Sequence, residues 1–171
     1  MNKYFIFFII LSFCSCIDDE NTDTQKNNLI KNKKALTQEM IANFKFTDIL
    51  LDPKAKVIAQ NWSSYQSIED GINLMKVLNY NFFKTNDAEF NTIFNELNAN
   101  IPAAFKTQAI TSRLLVLQTK LYRFKDELSF SPQLDTTHSV YVKDVFVAFS
   151  NLNLQINKKL EKEAQVIIKP E

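Results

Sequence analysis

Apolar residues recur in steps of three and four along most of this chain, the spacing that places side chains on one face of an α-helix. The most regular stripe consists of Ile110, Leu114, Leu117, Leu121, Phe124 and Leu128. It predicts a helix over residues 102–128, with Pro102 in the first turn, where its missing N–H costs nothing. A second stripe consists of Val142, Val145, Phe149, Leu152, Ile156 and Leu160. It predicts a helix over residues 136–164, capped by Asp135 or Thr136.

A third stripe consists of Trp62, Tyr65, Ile68, Ile72, Met75, Leu78 and Phe82. It predicts one more helix, with Asp52 as its cap and Pro53 as its first residue. Gly71 lies inside the stripe, and a helical glycine costs about 1 kcal/mol relative to alanine. The sequence therefore predicts this helix less firmly than the other two.

Two shorter helices complete the pattern. Asn86 followed by Glu89 has the spacing of a capping box and predicts a helix over residues 87–98. A further helix is expected over residues 28–44. The chain has only one glycine, so it offers little material for the tight turns of an antiparallel sheet. We therefore predict an all-α fold, an antiparallel bundle of four to five helices over residues 29–168.

The first twenty residues follow a different pattern. Lys3 is followed by an unbroken apolar run over residues 5–11, then by Cys14 and Cys16, and then by three acidic residues at 18–20. The run is too short to cross a bilayer, which takes about twenty helical residues. Its length is typical of the apolar region of a secretory signal.

With its cysteines, this segment resembles the signal of a bacterial lipoprotein, in which the residue after the cleavage site is an acylated cysteine. The resemblance implies that Cys16 is lipidated, because the small Ser15 precedes it. Cys14 is preceded by the bulky Phe13, although the Leu11–Ser12 pair would fit a site at Cys14. Both cysteines are therefore kept as candidate lipidation sites, and Cys16 is the favoured one.

The resemblance also implies an organisation and a location. Residues 1–15 are the expected leader, and residues 16–28 are the expected lipidated cysteine and a flexible acidic and polar tether. Two or more acyl chains would hold the protein on the membrane without a spanning segment. The acidic residues at 18–20 resemble the surface-export signal of Bacteroidota lipoproteins, which implies an outer-membrane lipoprotein that is surface-exposed or otherwise periplasm-facing. Residues 113–121 and 149–157 are similar to segments of flavobacterial lipoproteins, and this similarity implies no activity.

Charge and cysteine usage narrow the function classes. Removal of the leader takes Lys3 away and leaves 19 basic and 19 acidic side chains. A neutral chain lacks the basic stripe that displaces counterions from nucleic acid, so we expect no nucleic-acid partner. Both cysteines lie near the N-terminus, so the predicted bundle holds no disulfide, thiolate metal site or cysteine nucleophile.

The remaining candidate chemistry is sparse. His138 is the only histidine, and beside a helix start it is interpreted as a cap or surface residue. The carboxylate pairs Glu69–Asp70 and Asp126–Glu127 lie on predicted polar faces. We therefore predict no catalytic, cofactor-binding or metal-binding residues, and no enzyme.

Two functions remain. One is a non-enzymatic module that binds an envelope or extracellular protein. The other is a domain that binds a small ligand or a lipid in the interior between the long helices. An inhibitory role is a variant of this second function. Four aromatic residues off the regular stripes suggest a partner patch: Tyr80, Phe83, Tyr122 and Tyr141.

Overall fold

The computed structural model describes residues 34–131 and 133–165, within a compact unit that begins at Lys34. The α-helices are α1 Gln38–Ala42, α2 Pro53–Ala59, α3 Ser63–Lys76, α4 Asp87–Ala99, α5 Gln108–Phe130 and α6 Ser139–Ala164. Short 3₁₀ turns span Asn81–Lys84, Ala103–Phe105 and Thr136–His138. Across these ranges no β-strand occurs beyond a single bridge between Ala35 and Asp135. The predicted all-α fold is confirmed.

The predicted leader (1–15), the predicted tether (16–28) and residues 29–33 lie outside the described residues. Cys14 and Cys16 are among them, so the choice between the two lipidation sites stays a prediction.

Helices α5 and α6 form the antiparallel centre of the bundle. Lys120 of α5 pairs with Asp144 of α6, with 2.7 Å between Nζ and Oδ2. One turn further along, the Arg123 guanidinium lies 4.8 Å from the centre of the Tyr141 ring. All six residues of the α5 stripe are buried, as are all those of the α6 stripe except the half-buried Leu160. The two stripes thus fill the space between the long helices.

The third predicted helix is wrong as a single element. The chain leaves the helical path after Ala59 and again after Lys76. Leu78 adopts a φ of 63°, while its N–H donates to the Met75 carbonyl at 3.1 Å. The N–H of Asn79 donates to the Leu74 carbonyl at 3.0 Å, which completes a Schellman ending. A leucine in this left-handed conformation costs about 1–2 kcal/mol. The conformational preferences of the residues alone therefore do not predict that α3 ends here.

Gly71 is required by the turn that follows. Phe82 lies in the 3₁₀ turn rather than on α3, and its ring folds back onto the helix. A β-carbon added at Gly71 would lie 2.5 Å from Phe82 Cδ1 and 2.8 Å from Cγ. Only glycine lets this ring approach the helix backbone.

Two other helix starts differ from expectation. Of the helix predicted over residues 28–44, the described part contains only α1, whose cap is the Thr37 hydroxyl. Helix α5 begins after Thr107, whose hydroxyl accepts from the Ile110 N–H at 3.4 Å. Pro102 instead precedes a separate 3₁₀ turn, because Thr107 offers the side-chain acceptor that a cap needs.

Of the three predicted caps, Asp52 precedes α2 without a side-chain capping bond, and the other two form such bonds. The Asn86 side chain accepts from the Glu89 N–H at 2.9 Å and opens α4. The Asp135 side chain accepts from the Thr137 N–H at 2.8 Å and caps the 3₁₀ turn that leads into α6. The predicted cap at Asn86 is confirmed. Asp135 is confirmed as a capping residue, but of the 3₁₀ turn, and α6 itself begins at Ser139, three residues later than predicted.

Residues 34–52, here called the arm, run across the bundle before α2. Its start pairs with the α5–α6 loop: the Leu36 N–H donates to the Leu134 carbonyl at 3.0 Å, and the Thr136 N–H donates to the Lys34 carbonyl at 2.9 Å. The side chains of Leu36 and Ile41 are buried in the common core. The arm is therefore part of the folded domain.

Candidate functional site

A surface groove lies where the arm meets α3 and α6. Its volume is about 570 Å³. The apolar lining comes from Ile41, Ala42, Phe44, Phe46 and Phe146. We call it the aromatic groove.

Phe146 forms the floor of the groove. It is only 2 % exposed, and the Phe46 ring stacks on it with 5.8 Å between centroids and 26° between planes. Phe44 packs on the same ring at 6.3 Å, tilted by 52°. Phe44 and Phe46 themselves are half-buried, so part of each ring remains available at the surface.

The rim of the groove is charged. Lys76 Nζ lies 2.7 Å from Asp48 Oδ2, and both side chains are substantially exposed. Glu39 adds a second carboxylate to the lining. An exposed ion pair of this kind stabilises a fold by only about 0–1 kcal/mol, so Lys76 and Asp48 can exchange partners at little cost.

Side chains of α6 hold the arm against the bundle through its main chain. The Asn157 amide donates to the Leu50 carbonyl at 2.8 Å and accepts from the Asp52 N–H at 2.9 Å. One turn earlier, Asn153 donates to the Ile49 carbonyl at 2.9 Å. The Ser150 hydroxyl accepts from the Ile49 N–H at 3.4 Å. We call Ser150, Asn153 and Asn157 the polar ladder, and it fixes the arm segment that follows Phe46.

Asn153 also connects the polar ladder to α3. The Tyr65 hydroxyl donates to its Oδ1 at 2.8 Å. Burial, with a smaller contribution from the nearby Glu69 carboxylate, raises the pKa of Tyr65 well above its ordinary value. The phenol therefore stays protonated and keeps donating to Asn153 through the neutral and moderately alkaline range.

The one predicted candidate histidine is a capping residue. His138 is 5 % exposed, and the Asp135 N–H donates to its Nδ1 at 3.1 Å. The same Nδ1 lies 2.9 Å from Asp135 Oδ1. A neutral ring can accept the backbone bond, whereas donation to the carboxylate requires a proton on Nδ1. Either way the ring closes the turn before α6, and the interpretation as a cap is confirmed.

The carboxylate pairs occupy two environments. Burial, followed by the charge of neighbouring Asp70, raises the pKa of Glu69. Asp126 is exposed and Glu127 is half-buried. Neither pair lines the aromatic groove.

The suggested aromatic partner patch is wrong at Phe83. This residue is 1 % exposed and meets the Phe124 ring edge-on at 5.2 Å. Tyr122 packs against Phe90 and Phe94, each at 5.2 Å. Phe83 and Tyr122 therefore make their aromatic contacts with other residues of the domain.

The periodic apolar stripes of the sequence did not predict the aromatic groove. Phe44 and Phe46 follow a five-residue helix, where no helical period applies, and Phe146 lies just beside the α6 stripe. The alternation of Phe44 and Phe46 with polar residues was the available signal. It indicates an extended segment with one apolar side.

No protein-family model, curated protein or solved structure matches this chain. Within residues 34–131 and 133–165, no helix is both long and apolar enough to cross a membrane. In the same ranges, no group of three or more His, Cys, Asp or Glu side chains is arranged to hold a metal ion.

Proposed function

We propose that this protein is a membrane-anchored lipoprotein of the cell envelope whose helical domain is a non-enzymatic binding module. The aromatic groove is the proposed contact surface, and its occupant is an apolar side chain of an envelope or extracellular protein. The observation that carries this proposal is the pair of half-buried rings, Phe44 and Phe46, held on the buried Phe146. Aromatic anchors in a preformed pocket commonly dominate protein interfaces.

The charged rim supports a protein partner over a purely apolar ligand. Asp48, Glu39 and Lys76 surround the rings, which gives the groove an apolar centre and a polar border, as protein interfaces have. The excess of one carboxylate over the single ammonium favours a partner with a basic residue beside its apolar side chain.

The proposed anchor rests on the N-terminal resemblance. Acylation of Cys16 would hold the domain on the outer membrane, facing the medium or the periplasm. Metabolic labelling with a palmitate analogue tests this: Cys16→Ser should abolish label and detergent-phase partition, while Cys14→Ser should keep both. The reverse result would assign the lipid to Cys14. If neither the wild type nor the variants took up label, the proposal of a lipid anchor would be wrong.

The groove is tested by site-specific photo-crosslinking in intact cells. A photo-reactive residue at Ala42, which is exposed on the groove wall, should give a discrete adduct. The same residue at Ser112, exposed on α5, is the matched control. Phe46→Ala should reduce the Ala42 adduct about tenfold, the effect of losing one interface anchor. An adduct equally strong from both positions, or unaffected by Phe46→Ala, would contradict the proposal.

A small-ligand function is the second candidate, favoured by the size of the same groove. The expected ligand site in the interior between the long helices is wrong, because the buried stripes of α5 and α6 fill that space. Its volume of about 570 Å³ lies in the range of small-molecule sites. A small apolar ligand would be retained in native mass spectra of protein isolated from its own cells and lost in Phe46→Ala. Ligand-free protein in such spectra would leave the protein-binding proposal as the better one.

A further inference from the structure

Three consecutive apolar residues follow the described end of α6. Residues 166–168 are Val-Ile-Ile, and Lys169 comes directly after them; all four lie outside the described residues. We call residues 166–169 the apolar tail. The residues that lead to it, 161–165, are all exposed, so α6 has left the core of the domain before the apolar tail begins.

The nearest groove of the same copy suits the apolar tail poorly. It has a volume of about 740 Å³ and borders the last turns of α6. Its lining includes the charged side chains of Lys158, Lys162 and Glu163, together with the small Ala109. Charged groups lose free energy when aliphatic side chains displace their water. An apolar partner for the tail must therefore be sought elsewhere.

The aromatic groove has the complementary chemistry. Its half-buried rings, Phe44 and Phe46, offer apolar surface to the aliphatic side chains of residues 166–168. On its rim Asp48 already pairs with Lys76, and the exposed Glu39 adds a further carboxylate. That carboxylate complements an ammonium that directly follows an apolar segment, which is the position of Lys169.

The length of α6 excludes this contact within one copy. The helix axis runs about 27 Å from Phe146, the floor of the groove, to its end at Ala164, at 1.5 Å per residue. Ile168 follows four residues later and reaches at most about 14 Å from that end, even in an extended chain. The apolar tail is therefore too short for the groove of its own copy, whereas a second copy can present its tail from outside.

We propose that the aromatic groove binds the apolar tail of a second copy of this chain, with aliphatic side chains on the Phe44 and Phe46 rings and Lys169 beside Glu39. This inference rests on the function proposed for the groove and names its partner. Two copies related by a two-fold axis make the same exchange twice, so the contact closes as a dimer.

Photo-crosslinking between two differently tagged full-length copies tests the exchange in intact cells. A photo-reactive residue at Ala42, on the groove wall, should give an adduct that carries both tags. Mass spectrometry of that adduct should identify a crosslinked peptide that contains residues 166–168. The same photo-reactive residue at Ser112, exposed on α5, is the control and should give no two-tag adduct.

Variants of the tail separate its apolar and charged contributions. Replacement of both isoleucines, Ile167→Asp with Ile168→Asp, should reduce the two-tag adduct about tenfold. Val57→Asp, at an apolar residue of α2 that is 62 % exposed, is the matched control and should leave the adduct unchanged. Lys169→Glu should reduce the adduct about threefold, and addition of Glu39→Lys should restore it.

The outcomes separate this inference from the proposed function of the groove. An Ala42 adduct with a different protein would overturn the exchange and keep the groove as a binding surface. An adduct within one copy, to the Leu29-Ile30-Lys31 segment, would assign the groove to the chain's own N-terminal side. A two-tag adduct that survives the double isoleucine variant would also overturn the exchange. Absence of any Ala42 adduct would contradict both proposals.

Discussion

Gly71 shows how one missing β-carbon shapes this domain. The Gly71→Ala variant gains helix propensity, worth about 1 kcal/mol, but its methyl group would lie 2.5 Å from the Phe82 ring. We expect net destabilisation of about 1–3 kcal/mol, the usual cost of overpacking, measured by urea unfolding. In a Phe82→Ala background the same change should be neutral or stabilising. An equal cost in both backgrounds would show that the ring is not the obstacle.

Tyr65 gives the domain an alkaline pH dependence. Because burial raises the pKa of this phenol in the folded state, only the unfolded chain releases the proton above pH 10. The folded state then binds more protons than the unfolded state, so stability falls as pH rises, by about 1.4 kcal/mol per pH unit.

Tyr65→Phe isolates that contribution. At pH 7 we expect the variant to be less stable by about 1–2 kcal/mol, because Asn153 loses its hydroxyl donor. The gap should close between about pH 10 and pH 11.5, since the variant has no phenol to titrate. Urea unfolding at pH 7 to 11.5 measures it, and a constant gap across that range would contradict the assignment.

Sequence reading at this scale succeeds for residues whose role depends on local spacing. The burial of Trp62 and Tyr65 is such a case, and so is the cap at Asn86. It fails for Gly71, because the partner of that glycine was assigned to the same helix rather than to a turn folded back on it. Phe146 was missed for a related reason: its neighbours come from the arm, a hundred residues away along the chain.

Among the elements, the polar ladder of α6 decides how the arm is held. Asn153 is fully buried and serves both Tyr65 and Ile49. Asn157 lies nearer the surface and serves Leu50 and Asp52. The ladder therefore recognises backbone positions, and the side chains of the arm at those positions are free to vary.

The two asparagines should differ in their effect on stability. Asn153→Ala leaves a buried hydroxyl and a carbonyl unpaired, so we expect a loss of about 2–4 kcal/mol. Asn157→Ala should cost about 0.5–1.5 kcal/mol, because water can replace its bonds, and should speed hydrogen exchange at the Asp52 amide. Asn151→Ala, on the exposed face of α6, is the matched control. Equal losses for both ladder variants would contradict this account.

Element boundaries were predictable where a strong stripe and a cap coincide. That condition holds for α4, whose cap is Asn86 as the sequence predicts. Helix α6 begins three residues after its predicted start, behind the 3₁₀ turn that Asp135 caps. The break between α2 and α3 carries no glycine or proline, and the turn that follows α3 places Leu78 at a positive φ. Tertiary packing of Trp62 and Phe82 outweighs local preference there, and such packing is invisible in the helical period.

At the scale of the whole molecule, the arm forms the aromatic groove together with α3 and α6. Most of the lining comes from arm residues between Gln38 and Asp48. The aromatic groove is not built from one helix alone, so it depends on the arm being docked. The groove could not be predicted from the sequence, because the apolar stripes predict which residues each helix buries and do not predict which grooves the assembled surface contains.

The buried residues of the arm and all six helices form one continuous core, so we expect the domain to unfold as a single cooperative unit. Trp62 is the only tryptophan, and its indole N–H donates to the Leu97 carbonyl at 3.0 Å. Its fluorescence therefore reports on α3 and α4. The far-ultraviolet circular dichroism signal comes mainly from the longer helices α5 and α6. Urea transitions followed by the two signals should coincide. Leu121→Ala, fully buried in α5, should shift both by the same free energy, about 2–5 kcal/mol. A fluorescence transition that stays in place while the helical signal shifts would instead divide the domain into an arm-to-α4 part and an α5–α6 hairpin.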